Sequence, residues 1–318
     1  MRAVTIVDGA LRWQEHPDPV PGDSELLLRV RAAGINAADL LQVRGGYPPP
    51  AGITPDIPGL EVAGEVIAVG HLVTRFSPGD RVMALMGGGG QAELAAIHET
   101  AAVRVPESVT WSAAGGFPEV FLTAYDALFA QAKLAIGDRV LVTGAAGGVG
   151  IAAVQLAAQA GAHVVASVRT PALRPEVTRF GAAESLDPEE ACRHGPFNIV
   201  LELVGGPSVG SSLEALAVGG RIAVIGLGAG RTVELNLPLL MGRRAQIFGS
   251  TLRARSLAEK ATVVSQVEAH VLPLLASGRL QVPVMATYAM ADAAEGYRRH
   301  AQGGKLGKIV LVSEPGSS

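Results

Sequence analysis

Short apolar or alternating runs recur along the first third of the chain, separated by proline and glycine. Residues 3–7, 25–30, 61–69, 81–85 and 92–97 have strand length, and Pro17, Pro19, Pro21-Gly22, residues 48–50 and Pro78-Gly79 punctuate them. Such runs between such breaks predict a β-rich domain, a partly closed barrel, with one short helix over residues 37–44. From about Glu119 the pattern changes: apolar runs at 140–143, 163–168, 198–204, 221–225 and 247–251 alternate with helical stretches at 149–160 and 208–217. Strand–helix alternation at that spacing predicts a parallel, doubly wound sheet. After a helix over 256–277 the first texture returns, with an extended run at 285–288, a helix over 291–302 and a closing strand at 308–312. The tail 313–318 is expected to fray. The fold class is therefore α/β, with a doubly wound domain over residues 123–262 inserted into a β-rich domain formed by residues 1–122 and 263–318.

One stretch tests this reading. Residues 140–168 hold no Asp, Glu, Lys or Arg, which is long enough to cross a membrane. The same stretch holds Gly144, Gly147, Gly148, Gly150 and Gly161, with Gln155, Gln159 and His163. A buried strand, a glycine turn, a helix and a second buried strand account for it better, because parallel strands covered on both faces read as continuous apolar runs. Asp8 interrupts what would be the apolar core of a secretory signal, so the expectation is a cytoplasmic protein with no membrane partner. Hydrophobic residues make up 48% of the 318 residues and charged ones 17%, which excludes a disordered chain. The formal net charge of −3 offers no basic excess for a nucleic-acid backbone. Cys192 is the single cysteine, so an internal disulfide and a cysteine-rich zinc site are both excluded.

Candidate chemistry begins at Val140-Leu-Val-Thr-Gly-Ala-Ala-Gly-Gly-Val-Gly150, a glycine-rich turn between a strand and a helix. Gly144 suits the tight turn, Gly147 and Gly148 let backbone approach a pyrophosphate, and Gly150 permits close packing of helix on strand. Ala146 and Val149 belong to the same cradle, where free N–H groups at the helix start meet phosphate charge. The spacing is G-x-x-G-x-x-G, and a tight turn without a ligand is the competing reading. Next, an NAD site usually places a carboxylate about 20 residues on. Here the strand ends Ala166-Ser-Val-Arg-Thr170, so that Ser167 and Arg169 occupy the region, Arg174 follows, and no carboxylate occurs before Glu176. Guanidinium groups suit a 2′-phosphate and an acid would repel it, so NADP(H) is expected. Gly205 and Gly206 end one strand, and Val224, Gly226 and Leu227 end another. Ligands in such sheets lie outside the carboxyl ends of the strands.

With these residues in hand, the chain resembles the zinc-free quinone oxidoreductase type of medium-chain dehydrogenase/reductase. The matching segments are Gly34-Ile-Asn-Ala-Ala-Asp39, Arg44-Gly-Gly-Tyr-Pro-Pro49, Ile57-Pro-Gly-Leu-Glu-Val-Ala-Gly-Glu65, Phe76-Ser-Pro-Gly-Asp-Arg-Val82, Leu122-Thr-Ala-Tyr125, Gly226, Gly249-Ser-Thr-Leu252 and Gly307-Lys308. Their order and spacing cover nearly the whole chain. The resemblance implies a GroES-like catalytic domain, a Rossmann domain and a homodimer. It also implies that Thr123, which would begin a helix, lies beside the nicotinamide, and that Ser250, Thr251 and Leu252 meet its amide. Lys305, in a glycine-rich loop, either reaches a cofactor phosphate or is an exposed lysine. Zinc-dependent relatives place Cys where this chain has Asn36, His where it has Leu60, and a third ligand where it has Glu119. No zinc is therefore expected, and nothing points to a flavin.

Without zinc there is no Lewis acid to polarise an alcohol or aldehyde oxygen. The acceptor would then be electron-poor and conjugated: a quinone or an α,β-unsaturated carbonyl, reduced by hydride from the nicotinamide. Tyr47 is the first candidate to stabilise the acceptor oxygen, since a phenol donates a hydrogen bond or a proton at neutral pH. Asn36, with an amide donor, is the second. Asp39 would fix its short helix and Glu61 would hold structure. Two other readings stay open: a 2-enoyl-thioester reductase acting on a coenzyme A or carrier-protein substrate, and a non-catalytic NADPH-binding partner protein.

Overall fold

In the computed structural model, which describes residues 1–313, the chain forms two compact units. The first comprises residues 1–122, 252–303 and 308–313, and the second residues 123–251 and 304–307. The return to the first unit thus falls after Thr251 rather than after residue 262. The reason is Arg253, whose guanidinium bonds Gly87, Tyr47 and Gln42 of the first unit.

In the first unit, β1 (Arg2–Val7) and β2 (Ala10–Glu15) form a hairpin. The larger sheet is built from β3 (Glu25–Ile35), β4 (Glu61–Val69), β5 (Arg81–Leu85), β6 (Leu94–His98) and β7 (Ala102–Arg104). Helix α1 (Ala37–Val43) follows β3, and α2 (Trp111–Gly115) and α3 (Pro118–Tyr125) follow β7; the chain leaves the unit within α3. The second unit contains β8 (Arg139–Val142), α4 (Gly148–Gln159), β9 (His163–Ser167), α5 (Arg174–Arg179), β10 (Glu184–Leu186), α6 (Pro188–Arg193), β11 (Phe197–Glu202), α7 (Pro207–Glu214), β12 (Leu216–Val224), α8 (Leu237–Arg243) and β13 (Gln246–Gly249). On its return the chain adds α9 (Leu257–His270), α10 (Leu272–Ala276), β14 (Val284–Ala289), α11 (Ala293–Ala301) and β15 (Lys308–Val312).

The sheet of the first unit runs β14-β15-β3-β4-β5-β7, with β6 paired to β3. Strand β3 holds the unit together because it pairs with β4, β6 and β15. Alternate burial along it places Leu26, Leu28 and Val30 in a core with Val62, Val66, Val82, Ile97, Ile309 and Leu311. The helix expected over 256–277 is two helices, α9 and α10. Pro273 sits in the first turn of α10, where its missing N–H costs nothing. Ser313, expected to fray with the tail, donates its N–H to the Arg31 carbonyl; the rest of that tail lies outside the described residues.

The second unit has a parallel sheet of order β10-β9-β8-β11-β12-β13 with helices in the connections, the doubly wound arrangement. Its register aligns the carboxyl ends of the strands: Val142 pairs with Ala166 and Leu201, Glu202 with Val224, and Val224 with Gly249. The uncharged stretch 140–168 is therefore β8, a turn, α4 and β9. Among the described residues no helix is long and apolar enough to cross a membrane. At Gly150 the turn folds back so tightly that a Cβ would lie 2.6 Å from the Ala145 Cα and 2.7 Å from its carbonyl oxygen. Backbone atoms cannot swing aside, so Gly150→Ala should cost about 1–3 kcal/mol, read as a lower urea midpoint at unchanged slope.

Candidate active site

At the end of β3 the backbone turns into α1, and the turn is held from inside. Asp39 is fully buried; its Oδ2 accepts the Asn36 N–H at 2.8 Å and its Oδ1 the Gly59 N–H at 3.1 Å. Asn36, 8% exposed, is committed at both ends of its amide. Its Nδ2 donates to Glu61 Oε1 at 2.9 Å, and its Oδ1 accepts from Lys308 Nζ at 2.7 Å. The same ammonium lies 2.5 Å from Glu61 Oε1 and donates to the Ile35 carbonyl at 3.2 Å. Glu61 Oε2 accepts the Glu119 N–H at 2.9 Å, at the start of α3. Gly34 makes room for this carboxylate, since a Cβ there would stand 2.1 Å from Glu61 Oε1. One buried ion pair thus ties together β3, β4, β15 and α3.

Two further carboxyls lie in the same field. Burial pushes the Asp39 acid up to about 6, and burial together with Glu61 and Asp39 pushes Glu119 up to about 8, against the opposing pull of Lys308 and Arg253. At neutral pH Glu119 therefore keeps its proton, while Asp39 is largely ionised.

Arg253 organises the loop of Tyr47. Its Nε donates to the Gly87 carbonyl at 2.8 Å, Nη1 to the Tyr47 carbonyl at 2.8 Å and Nη2 to Gln42 Oε1 at 2.5 Å. Its guanidinium also lies over the Tyr47 ring, 4.8 Å from the centroid, a contact worth about 0.5–2 kcal/mol. The ring is half-buried. Tyr47 is thus held by its backbone and by one ring face.

In the second unit the glycine turn is accessible: Gly144 is exposed, and Ala146, Gly147, Gly148 and Val149 are partly so. The N–H groups of Gly148, Val149 and Gly150 open α4 and have no partner within the helix. The Gly307 N–H donates to the Ala146 carbonyl at 2.8 Å, which seats the loop of Lys305 against this turn. Ser167 is buried, and its carbonyl accepts the Ala145 N–H. Arg169 is exposed just beyond β9. Arg174 is not equally disposed: its Nε holds the Val168 carbonyl at 3.0 Å and its Nη2 holds Asp187 at 3.1 Å. It braces the strand end that presents Arg169. The exposed turn, the helix-start N–H groups and the nearby cations fit a dinucleotide diphosphate.

The remaining expected residues fall as follows. Gly205, Gly206, Val224, Gly226 and Leu227 lie at the carboxyl ends of β11 and β12, with Leu227 51% exposed. Ser250 follows β13 and bonds Asp126 and Gln131, and Thr251 is exposed. Leu252 is buried in the first unit. Thr123 lies in the last turn of α3 and does not begin a helix, since Pro118 already opens it. Sequence reasoning quoted Lys308 only within a matching segment, without a role, and missed Arg253 and Glu202. The available signal was a charged residue at the end of an otherwise largely apolar strand, as at Lys308 and Glu202.

The positions matching zinc ligands do not fit that metal. Asn36 spends its oxygen on an ammonium, Leu60 is apolar and 1% exposed, and only Glu119 offers a carboxyl. Among the described residues no three His, Cys, Asp or Glu side chains group as a metal site.

Residues 22–120 match the alcohol dehydrogenase GroES-like domain, and residues 148–268 match a domain described as zinc-binding dehydrogenase. The chain is 32% identical over 303 residues to a quinone oxidoreductase-like protein 2 homolog of Nematostella vectensis, covering 91% of this chain and 82% of that one. It is 31% identical to an acryloyl-coenzyme A reductase of Metallosphaera sedula, covering 98% of this chain and all of the relative. Among solved structures, a mycobacterial protein complexed with NADPH superimposes with a TM-score of 0.88 at 28% identity, over 98% of this chain and 100% of that one.

The buried acids carry a pH signature. Unfolded, Glu119 ionises near 4.5; folded, it holds its proton to about 8. Between those values folding takes up a proton, so this group makes stability fall as pH rises. Glu119→Gln should flatten that fall by on the order of 2–4 kcal/mol between about pH 5 and 8, measured by urea unfolding.

Proposed function

The chain belongs to the medium-chain dehydrogenase/reductase family, and we propose that it is an NADPH-dependent reductase of quinones or α,β-unsaturated carbonyls that works without zinc. The observation that carries this reading is the buried Lys308 ammonium, which claims the Asn36 oxygen at one position matching a zinc ligand, while apolar Leu60 stands at another. With no Lewis acid to polarise an isolated carbonyl, the acceptor must delocalise its own developing charge. Bound NADPH supplies the hydride. The N–H groups of Gly148 to Gly150 hold the diphosphate, Lys305 adds charge beside them, and Arg169 holds the 2′-phosphate on the strand end that Arg174 braces. Tyr47, fixed by Arg253, holds the proton at its phenol oxygen and donates a hydrogen bond to the acceptor oxygen. Asn36, whose amide is committed to Glu61 and Lys308, anchors this cluster rather than meeting the acceptor.

A second reading keeps the same chemistry and changes the acceptor to a 2-enoyl thioester. The full-length similarity to an acryloyl-coenzyme A reductase favours it. The active assembly is a homodimer: β13 is an edge strand, and α8 beside it exposes Leu237 and Met241 at 59% and 76%.

The deciding experiment is turnover with a panel of quinones, enones and enoyl-coenzyme A thioesters in NADPH and in NADH. NADPH should be preferred, and Arg169→Asp should reduce that preference by about 10–100-fold in kcat/KM. Equal efficiency with both cofactors overturns the NADPH assignment, stoichiometric zinc by elemental analysis overturns the metal-free one, and NADPH binding without turnover leaves a non-catalytic partner protein. Tyr47→Phe should lower kcat by about 100-fold with little change in the KM for NADPH.

A further inference from the structure

Besides Asp39 and Glu61, a third carboxyl group has no measurable exposure, and it forms no ion pair among the described residues. Glu202 closes β11 in the second unit, and its side chain accepts five hydrogen bonds. Oε1 takes the Thr143 hydroxyl at 2.9 Å, the Val204 N–H at 2.9 Å and the Gly205 N–H at 3.0 Å. Oε2 takes the hydroxyls of Ser208 and Ser212 at 2.9 and 2.8 Å. Its backbone carbonyl accepts the N–H groups of Ile225 and Gly226. Thr143 Oγ1 in turn accepts the Leu203 N–H at 2.8 Å.

These partners share a location. Thr143 is the residue before the glycine turn that follows β8. Residues 203–206 are the turn after β11, and residues 225–230 the turn after β12. The Val204 carbonyl also accepts the Ala229 N–H at 2.8 Å. The strands themselves need no such help, because their parallel ladders already run from Val142 through Leu201 and from Glu202 to Val224. What the carboxylate adds is a fixed spacing among the three turns beyond the ladder. In a doubly wound sheet those turns form the crevice for the dinucleotide. A buried carboxylate carries a large desolvation cost, and an apolar side chain would fill the space more cheaply. A role limited to packing does not explain it.

We propose that Glu202 is a positioning residue for the nicotinamide nucleotide: through Thr143, Val204, Gly205 and its own carbonyl it sets the width of the crevice formed by the turns after β8, β11 and β12. This rests on the reading that the crevice binds NADPH. Preorganised turns save the ordering cost on binding, so the consequence is nucleotide affinity rather than rate. Neither Glu202 nor Thr143 donates to the ligand; each acts through the backbone it holds.

The test is fluorescence titration of NADPH into the wild-type protein and into Thr143→Val, Thr143→Ser and Glu202→Gln, well below each melting temperature. Thr143→Val keeps the shape and removes the hydroxyl, whereas Thr143→Ser keeps the hydroxyl. Thr143→Val and Glu202→Gln should each weaken NADPH binding by about tenfold. In turnover they should raise the KM for NADPH without raising that for the acceptor, and Thr143→Ser should restore the wild-type Kd. Variants that melt lower yet bind NADPH as tightly as wild type overturn the proposal and leave Glu202 a stability element. If Glu202→Gln does not fold, the Thr143 pair decides alone. A wild-type protein that fails to bind NADPH overturns the cofactor reading itself, an outcome distinct from the failure of Glu202.

Discussion

The first unit turns on one buried ion pair. Lys308 and Glu61 are 2% and 0% exposed and 2.5 Å apart. Removing two charges from water costs several kcal/mol per ion, and attraction repays it only when the remaining donors and acceptors are satisfied. Here they are. The ammonium has Glu61, Asn36 and Ile35 as acceptors, and the carboxylate has Lys308, Asn36 and the Glu119 N–H as donors. Each partner comes from a different element, so satisfying the pair also fixes how β3, β4, β15 and α3 meet. Gly34 has no side chain for the same reason: the carboxylate occupies the place of its Cβ.

The pair also dictates which chemistry is open to its neighbours. Asn36 cannot present its oxygen to a metal or swing its amide freely, because Lys308 and Glu61 hold both ends. Glu119 and Asp39 rise in pKa chiefly because they are buried, with Glu61 adding to the rise and the Lys308 ammonium opposing it. Arg253 supplies the second cation, and it spends its remaining donors on Gly87, Tyr47 and Gln42. Charge balance inside the unit and placement of Tyr47 are thus performed by the same guanidinium.

Much of this architecture is legible in the sequence because its causes are local. The strands announce themselves by alternation and by flanking proline and glycine, and the phosphate turn by glycines that only close backbone packing demands, as at Gly150. What was not legible depends on distant partners. Lys308 looks like one more basic residue until β15 folds beside β3 and brings it to Asn36 and Glu61. Arg253 bonds residues far away in the chain, which is why the return to the first unit lies earlier than the change of texture suggests. Arg169 and Arg174 look equivalent as letters, yet α5 turns Arg174 back onto Val168 and Asp187. Short elements such as β2, α6 and α8 lack enough residues for a periodic signal to rise above their loops.

Two of the fully buried carboxyl groups, Glu61 in the first unit and Glu202 in the second, meet the same physical problem in different ways. Glu61 is compensated by a cation, and the same ammonium pulls down the nearby acids that burial raises. Glu202 is compensated by five neutral donors from Thr143, Val204, Gly205, Ser208 and Ser212. A cation at Glu202 would claim carboxylate lone pairs that the Val204 and Gly205 N–H groups now use. Those N–H groups would then need other partners, and the turn after β11 would lose its anchor. Neutral donors let the carboxylate hold backbone directly, while at Glu61 the cation draws separate elements together. The first solution suits a unit that must shape turns around a charged ligand. The second suits one that must fix the side chains of a reaction site.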